Sequence, residues 1–190
     1  MIVLAMHGVP PSDFPPQELA EYFRLHAAVE ATHHNDNGHH AHNGHARPPL
    51  ASEELQRYRE LDRRVRNWPR NEANDPFHAG SLALAKALGK KSHHPVLVGF
   101  NEFCSPTLED AFQKAVEAGA QRVVIITPMM TSGGAHAETE IPEAIQAARE
   151  AHPQVEFVYA WPFGRSEVAC FLAAQVERFL SGKLEPAGWR

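Results

Sequence analysis

Four consecutive β-branched residues, Val123 to Ile126, run directly into the glycine-softened stretch TPMMTSGGAHAETEIPEAI, and no other part of the chain constrains its folding as tightly. An apolar run without polar alternation is the mark of a strand covered on both faces, as in a parallel sheet flanked by helices. The segment therefore predicts strand, loop and helix in succession. Pro142 stands near the start of the helix expected over Glu138 to Ala151, where a missing N–H is tolerated. Ligands of open α/β sheets bind beyond the carboxyl ends of the strands, so His136, in the loop, is a site candidate by position.

The same punctuation recurs along the chain. Strands are expected at Ile2 to Met6, Pro95 to Phe100, Arg122 to Thr127 and Val155 to Ala160, each short, apolar and bounded by polar residues or glycine. Helices are expected at Thr107 to Ala118, closed by Gly119, at Glu138 to Ala151 and at Glu167 to Leu180. Strands alternating with helices predict an α/β fold, a four-stranded parallel sheet with helices on both faces. With 190 residues and 43% hydrophobic content, one sizeable core is expected, hence a single domain over 1–190.

The connection from Gly8 to His94 breaks the rhythm, being far longer than one crossover needs. Helices are expected within it at Pro16 to Glu30, Ser52 to Val65 and Asp75 to Leu88, the last capped by Gly89. Between the first two lies THHNDNGHHAHNGHARPP, Thr32 to Pro49, with six histidines: His33, His34, His39, His40, His42 and His45. Its glycine, asparagine and paired prolines predict a mobile loop, either a plain low-complexity insertion or, through its histidines, a metal reservoir. Arginines at 57, 59, 63, 64, 66 and 70 suit carboxylate recognition, but interleaved Glu60 and Asp62 make a solvated helix face the simpler reading.

Composition removes several classes of function. A net charge of -5 argues against broad affinity for nucleic acid. The apolar start MIVLAM gives way at once to His7 and Gly8, too short for a secretory signal, and no stretch approaches membrane-spanning length. Cys104 and Cys170 form neither a disulfide framework nor a CxxC metal site. A cytoplasmic protein is expected.

The stretch from Val96 to Leu180 contains LVGFNEFCSPTLEDAF, RVVIITPMMTSGGAHAETEIPEAI and HPQVEFVYAWPFG in that order. In these landmarks it resembles the class II tetrapyrrole chelatases of the sirohydrochlorin cobaltochelatase type. The resemblance implies a flavodoxin-like unit that inserts divalent cobalt, nickel or iron into sirohydrochlorin or a related tetrapyrrole without ATP. The metal would be substrate, and no organic cofactor is implied. Matched residue by residue, His7, Glu102 and His136 take the positions of metal ligands and catalytic residues, and all three fall at carboxyl ends of expected strands. Neutral imidazoles suit these metals and accept the departing pyrrole protons, with Glu102 completing the set. Gly133 and Gly134 are candidates for binding the macrocycle through backbone N–H groups. A homodimer follows by analogy with short members of the family.

Duller roles exist for each of these residues. His7 can hold a turn, Glu102 can precede the helix start at Pro106, and Glu140 reads as a residue of a helix N-terminus. Met129 and Met130 fit a core better than a macrocycle pocket. The turn HGVPPSDFPP also departs from the family's His-Gly-Ser-Arg-Asp pattern, so the entry to the first helix must differ. A non-catalytic metal chaperone or storage protein on the same fold is the alternative function. A nucleotide or flavin binder is disfavoured, because no phosphate-binding glycine fingerprint follows the first strand.

Overall fold

The computed structural model describes residues 1–36 and 51–182, so most of the histidine-rich segment, His39, His40, His42 and His45 included, lies outside the described residues. The sheet is four-stranded and wholly parallel, with β1 (Ile2–Met6) and β3 (Arg122–Ile126) at its centre, β2 (Val96–Phe100) and β4 (Glu156–Tyr159) at its edges. The expected α/β sheet is present, and each strand lies within the bounds read from the sequence.

Period-two alternation sorts β1 between two cores. Val3 and Ala5 point to one face, where they pack with Leu108, Phe112, Ile141 and Ile145 of α4 (Leu108–Glu117) and α5 (Ile141–Ala151). Leu4 and Met6 point to the other and meet Val98, Phe100 and Ala85, the last from α3 (Pro76–Ser92). Helices thus cover both faces. α4 begins with a reciprocal cap, the Thr107 hydroxyl accepting from the Asp110 N–H while the Asp110 carboxylate accepts from the Thr107 N–H.

Two helix ends differ from the sequence reading. α3 runs through Gly89 to Ser92 and is closed by His93 at φ 58°. Gly89 serves close packing instead: a Cβ there would lie 3.3 Å from the His94 carbonyl oxygen and 3.5 Å from Val96 Cγ2. α1 (Pro16–Asp36) continues beyond Glu30, so the stretch read as loop from Thr32 is helical as far as Asp36.

The long connection builds a helical hairpin of α1 and α2 (Ser52–Arg66), with a core of Phe14, Tyr22, Leu25, Leu61 and Val65 that also takes in Phe103 from the loop after β2. Outside that core, Arg57 pairs with Glu21 and Arg64 with Glu18 across the two helices. Arg66 pairs with Asp62, while Arg59 and Arg63 remain exposed. Arg70 departs furthest from a solvated face. Its side chain is 5% exposed, and its guanidinium pairs with Asp75 and donates to the carbonyls of Val9, Val65 and Phe103, tying together three separate segments.

The last helix, α6 (Arg165–Leu180), buries none of its residues, and Phe171, Leu172, Val176, Phe179 and Leu180 are all exposed. Among the described residues no helix is long and apolar enough to cross a membrane.

Candidate functional site

Three strand ends converge at the carboxyl edge of the sheet. The hydrogen-bond ladder continues past β1 and β2, with Asn101 N–H donating to the Met6 carbonyl and Glu102 N–H to that of His7, both at 2.8 Å. This pairing holds His7 and Glu102 in fixed register. Gly8 makes it possible: at φ +99° it turns away with its α-carbon so close to the second strand that a Cβ would lie 2.0 Å from the Glu102 carbonyl oxygen. Phe103, the next residue after Glu102, is buried in a left-handed conformation at φ 55°, unusual for an aromatic residue.

His136 arrives by another device. Pro142 lacks an N–H, and the helical backbone accommodates it with a wide π turn over His136–Glu140, in which the Ile141 N–H reaches back to the His136 carbonyl. Helical structure therefore begins earlier than Glu138 and Pro142 lies within it. His136 and Glu140 fall on one side of this turn, Nδ1 to Oε2 at 2.7 Å.

His7, Glu102 and His136 are the only group of three or more histidine, cysteine or acidic side chains among the described residues that could hold a metal ion, each offering a ligand atom within 4.8 Å of the others. His7 Nε2 lies 3.5 Å from Glu102 Oε2, and the two imidazoles meet edge to face, 4.4 Å between centroids. Donors about 2.0–2.2 Å from a first-row ion stand roughly 3–4 Å apart, so small side-chain adjustments close this cluster on a metal. His7 Nδ1 donates to the Gly8 carbonyl at 2.7 Å and His136 Nδ1 donates to Glu140, which leaves each Nε2 with its lone pair. Asn101 also donates to Glu140 and so steadies it.

Burial pushes the Glu102 pKa upward, but the close approach of the His26 ring and the positive charges that His7, His136 and His26 carry when protonated outweigh it, holding the carboxyl below the usual range. Glu102 is thereby kept anionic. The neighbouring Cys104 is buried, which pushes its thiol up to about 11 and makes it a poor nucleophile or ligand.

His26, Asn101 and Glu140 are the parts of the site that sequence reasoning missed or assigned elsewhere. His26 comes from α1 and places Nε2 3.6 Å from Glu102 Oε1. Glu140 was legible only as a helix-start acid, although its i+4 spacing from His136 signals a possible pair. Gly133 is at φ +96° with its N–H already donating to Glu138 Oε1 at 2.8 Å, so Glu138 would have to yield before a macrocycle used that donor. Gly134 has open space around its α-carbon. Met129 packs partly against the core beside α4 and α5. A hollow of about 590 Å³, lined by Leu82, Ala85, His94 and Val96 among others, opens at the amino end of β2 and shares no residue with the cluster.

A family model described as CbiX matches residues 71–178, more than half of the chain. A sirohydrochlorin ferrochelatase of Priestia megaterium is 46% identical over 70 residues, 37% of this chain and 26% of that protein. A sirohydrochlorin cobaltochelatase of the same organism is 41% identical over 70 residues, 37% of this chain and 22% of that protein. The chain thus spans about a quarter of the length of these relatives. Among solved structures, SirB from Bacillus subtilis with Fe3+ superimposes with a TM-score of 0.44 at 26% identity, over 55% of this chain and 42% of that one. A cobalamin biosynthesis CbiX protein of Marinobacter aquaeolei VT8 gives 0.48 at 13% identity, over 95% and 96%.

Proposed function

The chain belongs to the CbiX family, and from that premise we propose that it is a metal chelatase that inserts divalent iron, cobalt or nickel into sirohydrochlorin or a related tetrapyrrole without ATP. The observation that carries this reading is the His7–Glu102–His136 cluster at the carboxyl edge of the sheet. In the proposed reaction the hydrated ion exchanges water for the Nε2 atoms of His7 and His136 and a Glu102 oxygen. The macrocycle then presents its nitrogens from the open side. Two pyrrole N–H protons leave as two M–N bonds become anionic contacts, so each turn releases two protons and one metallated ring. Imidazoles released from the metal are placed to take those protons, a role that contributes about 10²–10⁴-fold in comparable catalysis.

The test is spectral. Mixed with sirohydrochlorin and Co²⁺, Ni²⁺ or Fe²⁺, catalytic amounts of the protein are expected to convert many equivalents of macrocycle, seen as a shift in its visible absorption. Stoichiometric metal binding with insertion no faster than in buffer would instead establish the chaperone or storage reading.

We also read 1–190 as one chelatase-like domain in the cytoplasm, where the free thiols Cys104 and Cys170 would stay reduced. A homodimer is part of the same proposal. It is supported by α6, whose Phe171 and Leu180 are 60% and 76% exposed on a helix that buries nothing against the described residues. Sedimentation equilibrium is expected to give twice the chain mass, and the double variant Phe171→Glu, Phe179→Glu to give the single mass. A wild-type protein that sediments as a monomer at tens of micromolar removes the dimer.

A further inference from the structure

We infer that His26, carried in by the α1–α2 hairpin, is a positioning residue that holds one oxygen of Glu102 so that the carboxylate meets the metal through the other. The inference rests on the proposed role of Glu102 as a ligand. Its basis is a division of the two carboxylate oxygens: Oε1 faces His26 Nε2 at 3.6 Å, and Oε2 faces His7 Nε2 at 3.5 Å.

The His26 ring is well fixed for this purpose. It is stacked against Tyr22 at 5.6 Å and 18°, meets Phe103 edge-on at 5.4 Å, and its side chain is 16% exposed. Its Nδ1 lies 3.2 Å from the Tyr58 hydroxyl on α2. With that O–H donating to Nδ1, the ring proton sits on Nε2 and points at Glu102. At 3.6 Å the contact is longer than a hydrogen bond, as such contacts often are before substrate arrives and draws the groups together.

Consequences for the metal follow from coordination number. A carboxylate binds a hard or borderline ion through one oxygen or two. Bidentate binding would occupy an extra position on an ion that must soon accept four ring nitrogens. Tying Oε1 to His26 keeps Glu102 monodentate and leaves that position open. The hairpin, an addition between β1 and β2, thereby becomes part of the site.

Co²⁺ alone is the first probe, because the intensity of its visible bands falls as its coordination number rises. His26→Ala is expected to bind Co²⁺ with weakened visible bands and to lose about 10–100-fold in kcat, the range for partners that orient metal ligands, with KM for the macrocycle unchanged. His26→Gln, whose amide donates from a similar reach, should restore both, and Tyr58→Phe should show the same changes in smaller degree. A His26→Ala variant with the wild-type Co²⁺ spectrum and kcat overturns the inference, as does a His26→Gln variant equal to it in deficiency. If the alanine variant does not fold, unchanged spectrum and kcat in Tyr58→Phe overturn it. Failure of the wild type to insert metal while it still binds Co²⁺ would refute the chelatase reading, and the spectra of the variants would still decide the role of His26.

Discussion

Replacing His136 with alanine is expected to lower metal insertion by about two to four orders of magnitude, the span for loss of a group that both binds and takes protons. The fold should survive the change. His136 is half-exposed, belongs to none of the buried clusters, and the π turn that carries it is made of backbone bonds, including that from the Ile141 N–H. Glu140 is not left alone, since Asn101 still donates to it. The melting temperature should therefore move by only about 2–4 °C, equivalent to about 1 kcal/mol for a chain of this size. Paired absorption assays and thermal melts check both halves. Undiminished turnover in His136→Ala removes the assignment of this histidine.

Gly8→Ala is expected to cost about 3 kcal/mol or more in stability, the sum of left-handed strain and overpacking, and to lower the melting temperature by about 6–12 °C. The added methyl would fall 2.0 Å from a backbone oxygen, which cannot rotate aside as a flexible side chain does. Relief requires parting the segments after β1 and β2, the same segments that carry His7 and Glu102, so metal binding should fall as well. Gly133→Ala is the control. Its φ is nearly the same, +96°, but nothing lies within 4 Å of the added carbon, so only backbone strain of about 1 kcal/mol is expected. Urea titrations of the two variants separate clash from strain, and equal losses would refute the close-approach account of Gly8.

The strands were legible because a doubly covered strand leaves no room for polar residues, and β1 has the bounds read for it. Helix ends were less so. Gly89 carries the composition of a stop, but its missing side chain answers a packing need that only tertiary contact creates. Pro142 reads as a first-turn residue and stands in the first turn of α5, but the wide π turn over His136–Glu140 that precedes it without a break carries no sequence mark of its own. At the site, His136 could be placed by its loop, and His7 and Glu102 by family likeness. His26 could not, because on α1 it is one more half-polar position four residues after Tyr22. Its meaning arises when the hairpin docks against Phe103.

Arg70 has a consequence for how such a chain can change over time. A lysine ammonium offers one nitrogen and cannot span an aspartate and three carbonyls that come from different stretches of backbone. Kindred sequences that retain both imidazoles yet have lost this guanidinium should therefore also have discarded or rebuilt the hairpin, making a single cation the tell-tale of an inherited hairpin beside the histidines.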